Sequence, residues 1–274
     1  YGVLGYPARH SLSPLMHNAA FRSLKINAEY KIFDKRSREL KPFLLSLSRN
    51  NIFGLNVTVP YKEKVIPFLG KVSQEARLIQ AVNTIRVRGR ALEGFNTDGA
   101  GFLKHLSSDL KFDPRGKSIA LLGSGGAAKA VSVYLARLKP KILRVYDIDR
   151  TKSKKLIRHL KKAFPEIDLR VASSVADLHI EEARLLVNAT PMGMKKDDPL
   201  PVDPAYLHKG LLVYDLIYNP KETKLLSEAK RSGARTSNGL GMLLYQGALS
   251  FERFTGRKAP ISTMRRALYK GVHR

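Results

Sequence analysis

A glycine-rich turn between an apolar run and a helical pattern is the segment of this chain best suited to bind a phosphate. The predicted strand Ser118–Leu122 runs into Gly123-Ser124-Gly125-Gly126-Ala127-Ala128, and a helical pattern continues to Leu138. This spacing permits a tight turn, a close approach of the backbone to a pyrophosphate, and close packing of the helix on the strand. The free N–H groups and the dipole at the helix N-terminus attract the phosphates. A glycine turn alone is weak evidence, but strand, turn and helix together predict a dinucleotide site.

The residues after the next predicted strand leave the choice between NAD and NADP open. Asp147 lies about 20 residues beyond the turn, where a carboxylate binds the two ribose hydroxyls of NAD and repels a 2′-phosphate. Arg150, Thr151 and Lys154 favour the opposite choice, because a guanidinium and nearby donors suit the 2′-phosphate of NADP. Asp149 or Thr151 also has the residue type of a helix N-cap, which is compatible with either cofactor.

Two residues just after predicted strands, Lys62 and Asp98, have the types needed to move a proton. Hydride transfer to or from a carbon requires that its oxygen gain or lose a proton, so an acid/base must lie beside a nicotinamide. A free lysine has a pKa of about 10.4, which burial or cationic surroundings lower, whereas a neighbouring carboxylate favours the charged form. Each residue also fits an ordinary role, since a lysine after Pro60 is commonly solvated and an aspartate ahead of a helix commonly caps it.

Seven polar motifs, in order along practically the whole chain, resemble those of the shikimate dehydrogenase family. They lie at 5–18 (GYPARHSLSPLMHN), 56–62 (NVTVPYK), 81–84 (AVNT), 94–99 (GFNTDG), 188–194 (NATPMGM), 215–220 (DLIYNP) and 239–246 (GLGMLLYQ). The family also includes quinate/shikimate dehydrogenases. The resemblance implies reversible reduction of 3-dehydroshikimate to shikimate with a nicotinamide cofactor, usually NADPH, on the route to aromatic amino acids.

The resemblance implies a role for each matching polar residue of the substrate site. Lys62 is implied as the catalytic acid/base and Asp98 as its partner, both touching the reacting hydroxyl. The substrate is a small ring with a carboxylate and several hydroxyls, which hydroxyl and amide side chains bind. The implied carboxylate ligands are Ser11, Ser13, Thr58 and Tyr218, and the implied ligands of the ring hydroxyls are Asn83, Asp98 and Gln246, with Asn56 as a weaker addition. Taken singly, Ser13 is also a good N-cap, and Asn56 and Asn83 are common turn residues.

The resemblance also implies a set of cofactor-binding residues. They are Gly123, Ser124, Gly125, Gly126 and Ala127 in the turn, Asp147, Asp149, Arg150 and Thr151 after the next strand, and Thr190, Met194, Leu216, Gly239 and Met242 around the nicotinamide. Core packing is nearly as good an interpretation of Met242. No metal is expected, because His10, His17 and His105 are not spaced as a metal site.

Two departures from the family pattern bear on the cofactor and the substrate. Gln80 stands where the family usually has glycine, and Asp149 stands where the family has the asparagine of Asn-Arg-Thr. Asp147 resembles the acidic residue of NAD-preferring quinate/shikimate enzymes, while Arg150 and Thr151 resemble the NADP type. NADP is therefore the expected cofactor, and an NAD-preferring quinate/shikimate dehydrogenase is the open alternative.

Alternating apolar runs and amphipathic segments predict an α/β fold that positions these residues. We expect a Rossmann-like, doubly wound parallel sheet domain at 102–239 and a smaller α/β substrate-binding domain at 1–101, with 240–274 packing back onto the smaller domain. A polar segment at 111–117 suits a domain boundary. Predicted strands lie at 1–4, 28–32, 54–57, 83–87, 91–94, 118–122, 143–146, 169–172, 185–188 and 211–215, and predicted helices at 14–24, 39–47, 98–110, 242–254 and 262–272.

The charge balance is strongly positive, with 49 Lys and Arg against 23 Asp and Glu, or +26. The densest basic run, 150–162, places Leu156, Leu160 and Phe164 on one helical stripe and its lysines on the other faces, which favours a solvated helix surface. A positive field also draws carboxylate and phosphate ligands. The alternative from another class is a non-catalytic polyanion-binding protein on the same fold, and the intact candidate acid/base pair argues against it.

Composition bounds the remaining classes. A chain of 274 residues with 43% hydrophobic residues is long enough for about two domains. The lack of cysteine excludes disulfides, thiolate catalysis and cysteine-ligated metals, and it fits the cytoplasmic location that we expect. No apolar run approaches the roughly 18 residues of a membrane span. The expected partner is thus shikimate or 3-dehydroshikimate, with no nucleic acid and no membrane, bound by a monomer or homodimer. The chain begins Tyr1-Gly2-Val3 without an initiator methionine, so we expect a segment to precede it.

Overall fold

We describe a computed structural model, which covers residues 1–272. The chain divides into two compact units. The first consists of residues 1–102 together with residues 243–272, and the second is residues 103–242.

The first unit contains a mixed six-stranded sheet. Its strands are β1 (Gly2–Gly5), β2 (Lys31–Asp34), β3 (Gly54–Val57), β4 (Lys71–Val72), β5 (Thr84–Arg88) and β6 (Ala91–Phe95), in the order β2-β1-β3-β5-β6-β4. The β1–β2, β1–β3 and β4–β6 pairs are parallel, and β5 is antiparallel to both of its neighbours. An apolar core that includes Leu4, Leu44, Leu55, Tyr61 and Ile85 is buried on this sheet.

Six α-helices of the described chain, residues 1–272, lie wholly or partly in the first unit. These helices are α1 (Ser13–Ser23), α2 (Leu40–Ser46), α3 (Gln74–Ile79), the start of α4 (Asp98–Ser108), most of α8 (Leu240–Thr255) and α9 (Ile261–Val272). Helices α4 and α8 pack closely together at Gly101 of α4. A Cβ added at Gly101 would lie 2.5 Å from the backbone nitrogen of Gln246 in α8. Only glycine lets these two helices pack at this distance, and the packing brings Gln246 beside the first turn of α4.

The second unit contains a six-stranded sheet in which every pair is parallel. Its strands are β7 (Ser118–Leu122), β8 (Ile142–Tyr146), β9 (Leu169–Val171), β10 (Leu185–Asn188), β11 (Leu212–Asp215) and β12 (Arg235–Ser237), in the order β12-β11-β10-β7-β8-β9. This is the Rossmann order, whose ligand crevice lies at the carboxyl ends of the two strands where the order reverses, here β7 and β10. The predicted fold class is confirmed.

The helices that connect these strands follow the apolar pattern of the sequence. They are α5 (Gly126–Arg137), α6 (Arg150–Ala163) and α7 (Lys224–Arg231). Leu156, Ile157 and Leu160 of α6 are buried, while most of its basic residues are exposed. The prediction of an amphipathic helix with a solvated basic face is confirmed.

Among the strands and α-helices of residues 1–272, four short elements were not predicted, and one strand begins later than predicted. The missed elements are β4, β12, α3 and α7. The strand predicted at 28–32 is β2, which starts at Lys31, because the side chain of Asn18 binds both the N–H and the carbonyl of Tyr30 at 2.8 and 3.0 Å. This amide occupies Tyr30 backbone groups that a longer strand would use for pairing.

Candidate active site

Four strand ends of the first unit meet at one edge of its sheet. The parallel strands β1 and β3 end there, at Gly5 and Val57. Strand β5 is antiparallel to β3 and begins there, with Thr84 opposite Asn56. Strand β6 ends there, with Phe95 opposite Thr84. The segments that adjoin these ends carry six predicted site residues, namely Ser11, Ser13, Thr58, Lys62, Asn83 and Asp98.

The two residues predicted to move a proton form a close ion pair. The Nζ of Lys62 donates to Oδ2 of Asp98 at 2.6 Å, across 36 residues of sequence. The side chains are 16% and 6% exposed, so the pair has limited access to solvent. Asp98 is the first residue of α4 rather than the residue before it, and Oδ1 of Asn96 accepts its N–H at 2.9 Å. The carboxylate of Asp98 is thereby left to the lysine.

Asn83 fixes the second oxygen of this carboxylate. Its Nδ2 donates to Oδ1 of Asp98 at 2.8 Å and to Oε1 of Gln246 at 3.2 Å. Its own Oδ1 accepts the backbone N–H of Thr97 at 2.8 Å, which sets the orientation of the amide. Asn83 is 2% exposed, and both ends of its side-chain amide bind groups in other segments of the unit. Both oxygens of Asp98 are therefore held by protein donors, one of them the ammonium that it orients.

A buried layer of hydroxyl groups supports Asn83. The hydroxyls of Thr84, Thr97 and Ser250 lie within 2.8 to 3.4 Å of one another. Asn56 donates to Oγ of Ser250 at 2.8 Å and accepts the hydroxyl of Tyr30 at 2.8 Å. Both ends of the Asn56 amide are thus used inside the protein, so it stabilises this layer rather than closing a turn.

The glycine turn of the second unit has the backbone geometry that a dinucleotide requires. Gly123 has a φ of +100°, and an added Cβ would lie 3.0 Å from the carbonyl oxygen of Ala189. Gly125 faces open space on its Cβ side. No side chain caps α5, whose first residue is Gly126, so its first-turn N–H groups are available to an anion. These residues fit a dinucleotide pyrophosphate.

Comparison with known proteins gives the family. Residues 3–85 match the model of the shikimate dehydrogenase substrate binding domain, and residues 239–269 match that of the shikimate 5′-dehydrogenase C-terminal domain. The chain is 42% identical to the shikimate dehydrogenase (NADP(+)) of Methanopyrus kandleri over 271 residues, which cover 97% of this chain and 93% of that protein. It belongs to the shikimate dehydrogenase family. The resemblance stated from the motifs is confirmed.

Solved structures of the family share the whole fold. A shikimate 5-dehydrogenase from Thermus thermophilus, in complex with NADP(H) and shikimate, is 34% identical with a TM-score of 0.88, and the match covers 98% of each chain. A quinate dehydrogenase from Corynebacterium glutamicum, in complex with NAD, is 30% identical with a TM-score of 0.89, again over 98% of each chain.

Residues near the start of α6, where the adenosine of the dinucleotide is predicted to bind, differ in their hydrogen-bond partners. Oδ1 of Asp149 accepts the N–H groups of Thr151 and Lys152 at 3.1 and 3.3 Å, which confirms Asp149 as the N-cap of α6. Arg150 is exposed. Asp147 makes contacts of a different kind, with Oδ2 accepting from Oγ of Ser124 at 2.5 Å and Oδ1 accepting from the N–H of Asp149 at 2.9 Å.

The loops after β10 and β11 are joined by two buried residues that sequence reasoning did not select. Oδ1 of Asp215 accepts from Nδ2 of Asn188 and from the N–H of Ile217, both at 3.1 Å, and Oδ2 accepts from the hydroxyl of Thr223 at 2.7 Å. Oδ1 of Asn188 accepts the hydroxyl of Thr190 at 2.6 Å. Both residues lie inside quoted motifs, and their polar types at the ends of apolar strands were the available signal. Asn188 and Asp215 thus hold together the loops after β10 and β11, which carry predicted cofactor residues.

Burial changes the acidity of two groups in these loops. It raises the pKa of Asp215 to about 6, against the three hydrogen bonds that lower it. Burial also raises the pKa of the Tyr218 phenol, so this hydroxyl stays protonated and can donate a hydrogen bond.

The remaining predicted residues are distributed between the two units. In the first unit, Ser11 and Thr58 are half-buried, and Oγ of Ser11 accepts the N–H of Ser13 at 3.3 Å. The prediction that Ser13 caps α1 is wrong, because Ser13 is the first residue of the helix and no side chain caps it. In the second unit, Met194 is 57% exposed and Met242 is 7% exposed.

Close packing fixes two further predicted positions of the second unit. An added Cβ on Gly239 would lie 2.0 Å from the carbonyl oxygen of Leu216, so these two predicted cofactor residues are in direct backbone contact. One on Gly241 would lie 2.2 Å from the ring of His105, whose Nδ1 is 2.6 Å from the hydroxyl of Tyr214. His105 is thereby part of the packing at the start of α8. Among residues 1–272 no cluster of His, Asp and Glu suits a metal ion, and none of the helices described there is long and apolar enough to cross a membrane.

Proposed function

We propose that this chain catalyses the reversible NADP-dependent reduction of 3-dehydroshikimate to shikimate, with Lys62 and Asp98 as its catalytic residues. The observation that carries the residue assignment is the 2.6 Å contact between the Lys62 ammonium and the Asp98 carboxylate, at a strand edge surrounded by hydroxyl and amide groups. Membership of the family and the NADP(+) enzymes among its relatives support the reaction and the cofactor.

Lys62 handles the proton of this reaction. NADPH, when bound, supplies the hydride that reduces the substrate carbonyl carbon. The Lys62 ammonium then donates a proton to the carbonyl oxygen, so that one hydride and one proton together form the alcohol of shikimate. In the reverse direction the Lys62 amine accepts the hydroxyl proton. Asp98 orients the Nζ group through its 2.6 Å contact and stabilises its positive charge.

Amide, carboxylate and hydroxyl groups of the first unit are the expected ligands of the substrate's ring hydroxyls and carboxylate. We assign the ring hydroxyls to Asp98, Asn83 and Gln246, whose mutual hydrogen bonds keep their polar atoms at fixed positions. Nε2 of Gln246 is bound to the carbonyl of Leu243 at 2.8 Å, which adds to this rigidity. A preorganised site of this kind loses little entropy on binding a polyhydroxylated ring. We assign the substrate carboxylate to Ser11, Ser13 and Thr58 of this unit.

We assign the dinucleotide to the second unit. Its pyrophosphate is expected at the first turn of α5, beside Gly123 and Gly125, and its 2′-phosphate at Arg150 and Thr151. The Arg150 side chain supports the 2′-phosphate assignment, because it is an exposed cation at the first residue of α6, where the helix N-terminus also attracts an anion.

A spectrophotometric assay tests the function. Shikimate or quinate is combined with NADP or NAD, and the reduced nicotinamide is followed at about 340 nm. We expect shikimate with NADP to give the highest kcat/KM. Highest activity with quinate and NAD would establish the alternative enzyme instead. Absence of turnover in all four combinations, together with salt-sensitive binding of nucleic acid, would establish a polyanion-binding protein.

A further inference from the structure

Asp147 poses a chemical problem for the proposed cofactor. It lies at the carboxyl end of β8, beside the glycine turn, where an aspartate ordinarily binds the ribose hydroxyls of NAD and repels a 2′-phosphate. An enzyme that uses NADP must prevent this carboxylate from binding the ribose. The structure contains a hydrogen bond that competes with the ribose for this carboxylate.

Both oxygens of Asp147 are already bound within the second unit. Oγ of Ser124 donates to Oδ2 at 2.5 Å, and the N–H of Asp149 donates to Oδ1 at 2.9 Å. Ser124 is 2% exposed, so its hydroxyl has little access to water and the Asp147 carboxylate is its acceptor. The N–H of Gly123 also binds the carbonyl of Tyr146 at 2.7 Å, which fixes the glycine turn against the end of β8. Backbone hydrogen bonds of the neighbouring residues Gly123 and Asp149 thus keep Ser124 and Asp147 close together.

We propose that Ser124 is a specificity-determining residue, whose hydroxyl holds the Asp147 carboxylate against the glycine turn and so favours NADP over NAD. This inference rests on the proposed function and adds a residue to it. Ser124 and the N–H of Asp149 each occupy an acceptor site of this carboxylate and fix its orientation, so it binds the two ribose hydroxyls of NAD less strongly than an unbound carboxylate would. The 2′ position is left to Arg150 and Thr151 at the start of α6. Taken alone, Asp147 favours NAD, and this contact weakens that argument.

Removing the serine hydroxyl releases the carboxylate. In Ser124→Ala, Oδ2 of Asp147 loses its donor and becomes available to a ribose hydroxyl. A hydrogen bond to a charged group is strong enough to change a binding constant about tenfold. We therefore expect the ratio of the Kd for NADH to the Kd for NADPH to fall about tenfold in Ser124→Ala.

Binding of the two reduced nucleotides to the full chain tests the proposal without relying on catalysis. NADPH and NADH are titrated separately by their own fluorescence into the wild type, Ser124→Ala, Asp147→Asn and the double variant. In the Asp147→Asn background, Ser124→Ala should change the ratio by less than about twofold, because no carboxylate remains to be released. The matched control is Ser132→Ala, which removes a buried hydroxyl of α5 that binds the carbonyl of Lys129 at 3.0 Å. It should leave the ratio unchanged.

Three outcomes would overturn the proposal, and a fourth would separate it from the proposed function. Equal changes of both Kd values in Ser124→Ala would show a merely structural serine. The same change of ratio with and without Asp147 would show that Ser124 acts through another group. Wild-type protein that binds neither nucleotide would overturn the proposal together with the cofactor site. Intact binding without oxidation of shikimate would overturn the proposed function and leave the Ser124 result to be judged on its own titrations.

Discussion

Asp215 gives the prediction that the structure specifies most closely. Its carboxyl group is fully buried at the end of β11, and its acceptors are used by Asn188, Ile217 and Thr223. Burial raises the pKa of this group from 3.8 to about 6, which means that the folded protein holds a proton there more tightly than the unfolded chain does. Asp215→Asn removes the ionisation and keeps the shape of the side chain.

The magnitude follows from linkage. One pKa unit corresponds to about 1.36 kcal/mol, so full ionisation of Asp215 destabilises the folded state by about 3 kcal/mol relative to its protonated form. The folded state binds more protons than the unfolded state between the two pKa values, so this contribution to stability falls as the pH rises through them. At pH 4 part of the unfolded population is already ionised, so the change between pH 4 and pH 8 is about 2 kcal/mol.

The measurement is a difference between two proteins. Free energies of unfolding come from urea titrations of wild type and Asp215→Asn, followed by far-UV circular dichroism between pH 4 and pH 8. The variant should gain about 2 kcal/mol relative to wild type over this range, whatever its constant offset from altered hydrogen bonding. Asp203→Asn is the control, because the exposed Asp203 also accepts a backbone N–H, from Ala205. A difference between wild type and Asp215→Asn that stays flat or falls with pH would refute the reasoning.

The remaining predictions concern the two units separately. Lys62→Ala should lower kcat for shikimate oxidation at least 100-fold, as expected for loss of a general acid/base, with a small change in KM. The control Lys64→Ala changes an exposed lysine two residues further on and should match wild type. Equal rates for Lys62→Ala and wild type would exclude the proton-transfer role. Gly101→Ala places a Cβ 2.5 Å from the backbone nitrogen of Gln246, so KM for shikimate should rise with little effect on NADPH binding; unchanged steady-state kinetics would show that α4 and α8 adjust freely. Gly123→Ala forces a side chain into a φ of +100°, so the Kd for NADPH should rise about tenfold, as nucleotide fluorescence would measure, while thermal stability falls; unaltered binding would mean that the turn does not contact the phosphates.

The sequence predicted most of the parallel sheet well because its central strands are short, almost wholly apolar runs. Ser118–Leu122 and Leu185–Asn188 were predicted at their observed bounds. Strands that are buried on both faces carry this signal in their composition alone. By contrast, Lys71–Val72 and Arg235–Ser237 have two and three residues and a polar or exposed character, so local pattern contains almost nothing that distinguishes them from loops. Their pairing with β6 and β11 is a property of the tertiary fold.

Local pattern predicted the Asp149 cap correctly, but it also suggested two helix caps that the fold does not use, for a related reason. Ser13 and Asp98 have good capping types next to helical patterns, yet α1 has no side-chain cap and Asn96 binds the Asp98 N–H. A side chain with two possible partners adopts the one that the fold brings near. For Asp98 that partner is the ammonium of Lys62, 36 residues away, whose charge makes a stronger hydrogen bond than a backbone N–H does.

Chain direction explains why the catalytic pair was nevertheless recognisable as a set. Lys62 follows a strand that ends at the same sheet edge where β5 begins and β6 ends, and the antiparallel turn from β5 to β6 returns the chain to that edge. Polar residues just before β5 and just after β6, such as Asn83 and Asp98, must then lie near those that follow β3. Polar types at strand ends are the signal for such a site, because only there do the strand directions of a mixed sheet bring distant segments together. The same rule covers Asn188 and Asp215 at the ends of β10 and β11, and applied to those two residues it would have selected them from the sequence.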